Sequence, residues 1–238
     1  MIVAVSGGKG GVGKSTAAWN LGRELDAVVV DADLATADLP PGTGPDLHDV
    51  LAGRVEPIDA IDDVGPVTIL PCGRTLSGAR ASNLEELGRV LRRVEREWGR
   101  VVVDCPAGLA RDVGIELRNA DLAVLVTTPN EAALVDAFRV YRLTEALRTP
   151  VGSVVLNETD REAHEEVADR LGRALGVEVT RIDRQRAVAD AQARWIPVRD
   201  YEPDAQAVEA FRSIADRLVR AGTRLSGRCP PRLTEVLQ

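Results

Sequence analysis

Short apolar runs rich in β-branched residues alternate along the chain with longer stretches in which apolar positions recur every three or four residues. That alternation predicts βαβ units and a mainly parallel sheet. Strands are expected at residues 2–6, 27–31, 67–70, 101–104, 122–127, 151–156 and 177–182, built on apolar runs that lack alternation as suits strands covered on both faces. Helical spacing predicts helices over residues 14–25, 84–98, 112–119, 131–147, 161–175, 184–194 and 204–225. The one cluster of proline and glycine, residues 39–45, reads as a mobile loop rather than a linker. The pattern therefore describes one α/β domain over residues 1–225, a doubly wound, mostly parallel sheet of about seven or eight strands with helices on both faces, and a short tail over residues 226–238.

With 238 residues of which 45% are apolar, intrinsic disorder is excluded. No apolar run approaches the ~18 residues a membrane span needs. The first residues carry no basic region and run straight into glycines, so a cytoplasmic chain is expected. Cys72, Cys105 and Cys229 lie far apart, which points to reduced thiols rather than a disulfide framework or a zinc knuckle. The net charge of −7 is unevenly spread: residues 1–160 hold 16 basic and 24 acidic residues, residues 161–238 hold 14 and 13. Of the 30 basic residues only Lys9 and Lys14 are lysines, both in one glycine-rich loop. A compact ammonium and a planar guanidinium are not interchangeable, so lysine confined to that loop signals a chemical requirement there.

The loop, residues 6–16, reads SGGKGGVGKST and lies between the first predicted strand and helix. Glycines let successive N–H groups point inward at phosphate oxygens, and the helix N-terminus adds a favourable dipole. Gly8, Gly13, Lys14 and Ser15 satisfy the phosphate-loop pattern: Lys14 is expected to reach the β- and γ-phosphates, Ser15 to ligate Mg²⁺ and Thr16 to lie near the α-phosphate. Asp31 and Asp33 end the second strand at the carboxyl edge, where open α/β sheets bind ligands. The apolar run 101–103 leads into Asp104, the form of a strand that holds Mg²⁺ through its water shell.

Lys9 exceeds what an ordinary phosphate loop needs. The run Lys9-Gly10-Gly11-Val12-Gly13-Lys14-Ser15 resembles the deviant Walker A loop of the MinD/ParA/Mrp family of P-loop ATPases, and Pro106-Ala107-Gly108 after Asp104 resembles the MinD-type members most. The resemblance implies ATP and Mg²⁺ as cofactors and a homodimer that sandwiches nucleotide, with Lys9 acting across the dimer and the backbone of residues 8–13, including Gly10 and Gly11, around the phosphates. It implies that Asp33 orients the attacking water, that Asp31 lies nearer the metal with Asp38 a further carboxylate, and that the Gly108 N–H senses the γ-phosphate. Asn157, at the end of the sixth strand, corresponds to the family's base-reading asparagine. The proline turn that lines the base in relatives has no counterpart in residues 177–183.

The family's switches act through a stimulating or cargo protein, a membrane surface or non-specific DNA. The last helix sets Val208, Phe211, Ala215, Leu218 and Val219 opposite Arg217, Arg220 and Arg224, which suits packing on the sheet better than lipid. The tail has Leu233, Val236 and Leu237 at helical spacing but no aromatic anchor and little net charge, so as a weak amphipathic segment it would hold the chain at the membrane's inner face only feebly, and a cytoplasmic position is the main expectation. Arg181, Arg184, Arg186 and Arg194 form a basic set diluted by Glu178, Asp183 and Asp190, a mixed face more than a DNA patch. The expected function is slow ATP hydrolysis as a positional switch in cell division or partitioning. The alternatives are a ligase or metal-cluster carrier on the same fold, and an interaction module that hardly hydrolyses; Asp33 speaks against the last. Cys105 directly beside Asp104 does not match an inter-subunit cluster cysteine.

Overall fold

The computed structural model describes residues 1–34, 36–109, 111–160 and 163–226. In chain order the elements are β1 (Ile2–Gly7), α1 (Lys14–Leu25), β2 (Val28–Asp31), α2 (Leu47–Leu51), β3 (Asp62–Val64), β4 (Val67–Leu70), α3 (Leu76–Ala81), α4 (Leu87–Trp98), β5 (Val101–Ala107), α5 (Arg111–Asn119), β6 (Leu122–Thr127), α6 (Glu131–Leu147), β7 (Val151–Thr159), α7 (Glu165–Leu175), β8 (Val179–Asp183), α8 (Arg186–Gln192), α9 (Val198–Tyr201) and α10 (Gln206–Ser226). The strands form one sheet in the order β3-β4-β2-β5-β1-β6-β7-β8, in which only the β3–β4 pair is antiparallel.

Strand side chains alternate between two cores. From β1, Ile2 and Ala4 join Leu87, Val90, Leu91 and Val94 of α4 and the apolar faces of α5 and α7. Val3 and Val5 point the other way, onto Ala17, Leu21 and Leu25 of α1 and Phe211, Ile214 and Leu218 of α10. Burying one such side chain stabilises the fold by about 1.5–3 kcal/mol. The expected sheet-packing role of the last helix is met, since Phe211, Ile214 and Leu218 are fully buried while Val219 is exposed.

The sheet has eight strands; the pattern located seven. β3 was missed because Asp62 and Asp63 are poor strand formers, and their pairing with β4 across the Gly65-Pro66 turn makes the sheet edge. α2, α3 and α9 are too short for a helical period to show. Residues 39–45, expected to be mobile, are pinned: Leu39 is buried, and the Thr43 N–H and hydroxyl both donate to Asp62 Oδ2, at 2.7 and 2.8 Å. β7 runs past the predicted end at 156 to Thr159. Of the helix predicted from 161, residues 161 and 162 lie outside the described residues, as do 227–238 with Cys229, Leu233, Val236 and Leu237.

The chain reverses its winding at β1, which lies between β5 and β6. Ligands of such sheets bind at the carboxyl ends of the strands beside that reversal. The residues gathered there are Gly7, Asp31, Asp104, Thr127 and Asn157.

Candidate functional site

The loop leaves β1 and turns into α1 through two glycines in the left-handed region, Gly11 (φ 75°) and Gly13 (φ 98°). Only glycine serves at 13, because a Cβ there would also lie 2.3 Å from Asn157 Nδ2. Gly8 has a different constraint: a Cβ would sit 2.4 Å from the Asp136 Cβ on α6. α1 starts at Lys14 with no acidic residue in its first turn, leaving its first N–H groups facing the loop. Lys14 and Thr16 are buried and Ser15 half-buried, whereas Lys9 and Gly10 are exposed. Val12 is buried, and its carbonyl accepts Asn157 Nδ2 at 3.0 Å, joining the end of β7 to the loop.

Carboxylates from neighbouring strands meet behind Lys14. Asp31 and Asp104 are register partners on β2 and β5, and both are buried. Burial pushes the Asp104 carboxyl up to about 7, while the Ser15 hydroxyl and the Lys14 ammonium beside it pull the other way. Its Oδ1 is buried without a hydrogen-bond partner. Burial, and then Asp104, push Asp31 up to about 8. Asp31 Oδ1 accepts the Asp33 N–H at 3.3 Å and its Oδ2 the Leu39 N–H at 3.4 Å, so this residue clasps both ends of the loop after β2. The half-buried Asp33 accepts the Thr36 N–H at 2.9 Å. Gly108, φ 92°, directs its N–H to Gly7 O at 3.4 Å. One helix further on, Glu116 is fully buried with neither oxygen hydrogen-bonded and the Cys105 thiol alongside.

A cavity of about 750 Å³ opens over the loop. It brings together the expected residues Gly11, Gly13, Lys14, Ser15, Thr16, Asp38 and Asn157. Gly8, Lys9, Gly10, Val12, Asp31, Asp33, Asp104 and Gly108 are not in its lining: Asp31 and Asp104 are buried, and Lys9 is exposed on the loop. The rest of the wall is made by Glu158, residues 183–186, α8 and Trp195. The sequence pattern did not find this wall. Arg184 and Arg186, expected on a mixed-charge face, lie here paired with Glu158 at 3.0 Å and Asp190 at 3.3 Å. Arg194 lies over the Tyr201 ring, 5.4 Å from its centroid.

A model of the CobQ/CobB/MinD/ParA nucleotide binding domain matches residues 3–198. The chain belongs to this family. An uncharacterised ATP-binding protein of Methanocaldococcus jannaschii is 31% identical over 234 residues, 93% of this chain and 88% of the relative. The septum site-determining protein MinD of Bacillus subtilis is 32% identical over 160 residues, 60% of this chain and 59% of its own length. In structure, Pyrococcus horikoshii MinD complexed with Mg-ADP superposes with a TM-score of 0.85 at 25% identity, covering 94% of this chain and 98% of that one.

This CobQ/CobB/MinD/ParA domain presents glycine N–H groups, a helix N-terminus and a buried lysine to one cavity, with carboxylates behind it. Those groups recognise an anion that carries a cation with it.

Proposed function

We propose that this chain is a Mg²⁺-dependent ATPase that dimerises around ATP and hydrolyses it slowly, switching its association with a partner or surface in cell positioning, division-site placement or partitioning. The observation that carries this reading is the loop apex. Lys9, the sole lysine besides Lys14, stands exposed beside the cavity and makes no ion pair with any described residue, so it is available to a second chain's phosphates. The likeness to the M. jannaschii and MinD proteins supports the same reading.

The donor set fits Mg²⁺: a half-buried Ser15 hydroxyl and a buried Asp104 whose Oδ1 has no protein partner are what an ion that keeps much of its water requires. Bound there, the ion would neutralise charge on the transferring phosphate. Lys14 holds the β- and γ-oxygens, the backbone of residues 8–13 wraps the phosphates, and Thr16 lies toward the α-phosphate. Asp31 holds the loop that carries Asp33, and Asp33 aligns the attacking water, the contribution a loose phosphoryl-transfer transition state needs. The Gly108 N–H exchanges its long bond to Gly7 for the γ-phosphate, and Asn157 reads the base edge.

A metal-cluster carrier is less well supported, because among the described residues the cysteines are Cys72 and Cys105, both buried, and burial pushes both thiols up. Phosphate release tests the hydrolytic role: wild type should turn over slowly, while Asp33→Ala should bind Mg-ATP with little change and release almost no phosphate. Wild-type turnover in Asp33→Ala would remove Asp33 from that role.

A further inference from the structure

Among the described residues four non-glycine positions have left-handed backbone: Asp26, Arg148, Glu158 and Trp195. Asp26 and Arg148 are ordinary helix C-caps. Glu158 and Trp195 both line the nucleotide cavity. A bulky residue at φ 51° is an outlier, and sparsely populated backbone held in place by its surroundings marks functional sites.

The turn itself makes no use of an indole. It is closed by main-chain bonds, Trp195 N–H to Gln192 O and Ile196 N–H to Ala191 O, both 3.0 Å. Glycine would make it without strain. The ring is nonetheless fixed. Trp19 of α1 donates its Nε1–H to Trp195 O at 3.1 Å, and the two rings meet edge to face with centroids 5.7 Å apart at 73°. Trp195 also packs against the cluster containing Leu39, which follows the cavity residue Asp38. The chain has only seven aromatic residues, two Phe, three Trp and two Tyr, so placing one half-buried at the cavity wall is not incidental filling.

At about 750 Å³ the cavity has the size of a site for a whole small ligand, and beyond the loop residues its lining includes Val188, Ala189 and Trp195. We propose that Trp195 is the aromatic platform for the nucleoside of the bound nucleotide. The proposal rests on the nucleotide-site reading above. Bases stack on aromatic rings whatever their hydrogen-bonding edge, so Trp195 supplies affinity, while discrimination falls to the polar groups beside it.

Calorimetric titration of the full chain with Mg-ADP and with Mg-tripolyphosphate, which has no base, separates the contributions. Trp195→Ala and Trp195→Gly should each weaken Mg-ADP by about tenfold or more and leave tripolyphosphate unchanged, with Trp195→Phe close to wild type. Thermal melting of Trp195→Gly guards against misfolding, since relief of the strained backbone should offset the lost packing. Tryptophan emission should change on adding Mg-ADP, and that change should vanish in Trp195→Phe. Wild-type ADP affinity in Trp195→Ala, or equal loss of both ligands, would overturn the platform. A wild type that binds tripolyphosphate and ADP equally well would also overturn it, whereas one that binds neither would overturn the underlying nucleotide reading.

Discussion

At the scale of residues, the buried acids behind the loop set how the ligand-free protein responds to pH. Asp31, Asp104 and Glu116 are all pushed above the usual carboxylate range, first of all by burial. A carboxyl with a raised folded pKa binds its proton more tightly folded than unfolded. Its contribution to stability is therefore fully present below the unfolded value, near 4, and is lost as pH rises through the folded value. Without ligand, the melting temperature should fall between pH 5 and pH 8. Glu116→Gln, which keeps the shape but cannot ionise, should flatten that fall; an unchanged profile would show that Glu116 does not titrate with unfolding. The lysines, Ser15 and Asp104 were legible in sequence because their chemistry depends on spacing within one loop or one strand end. Glu116 was not, because its burial depends on α5 packing against β5, which no local pattern reveals. Trp195 was missed for the same reason: its position follows from Trp19, 176 residues earlier.

Among the elements, α10 bears most on the question of a surface. Its apolar residues lie in the core against α1 and the sheet, and among the described residues no helix is long and apolar enough to cross a membrane. Phe211→Ala should destabilise the fold by about 3–5 kcal/mol, read as a shift of the denaturant midpoint, with the nucleotide site intact in the folded fraction. A loss below about 1 kcal/mol would mean the helix is only loosely docked. Long buried strands and long amphipathic helices were readable because their periodicity spans many residues. The β3 edge and the helices α2, α3 and α9 were not, because each is too short for its period to show. Local caps from Asp46 and Thr75 start α2 and α3, helices of five and six residues that show no period, and the Val198 N–H at the start of α9 donates to the distant Asn20 on α1.

For the whole molecule, ATP works as a switch only if its binding energy is realised across two chains, so that the ligand shifts a monomer–dimer equilibrium. Loop apex, cavity and carboxylates share one edge of the sheet, where a second copy can meet them face to face. The doubly wound fold was legible from alternation alone, but the cavity wall beyond the phosphate loop was not, because its chemistry lies on a short helix and a turn of mixed charge. Lys14→Ala should lose Mg-ATP binding by about 100-fold or more, since it removes the buried charge that meets the phosphates; retained tight binding in a titration would discard the loop assignment. Lys9→Ala should bind nucleotide almost as wild type and fail only in pairing. The most direct measurement is solution mass by light scattering with Mg-ADP and with Mg-ATP, on Asp33→Ala to hold ATP intact and on the same variant carrying Lys9→Ala. The account predicts a mass that doubles with ATP, not with ADP, and does not double without Lys9; a mass indifferent to the nucleotide, or doubling that survives the loss of Lys9, would contradict it.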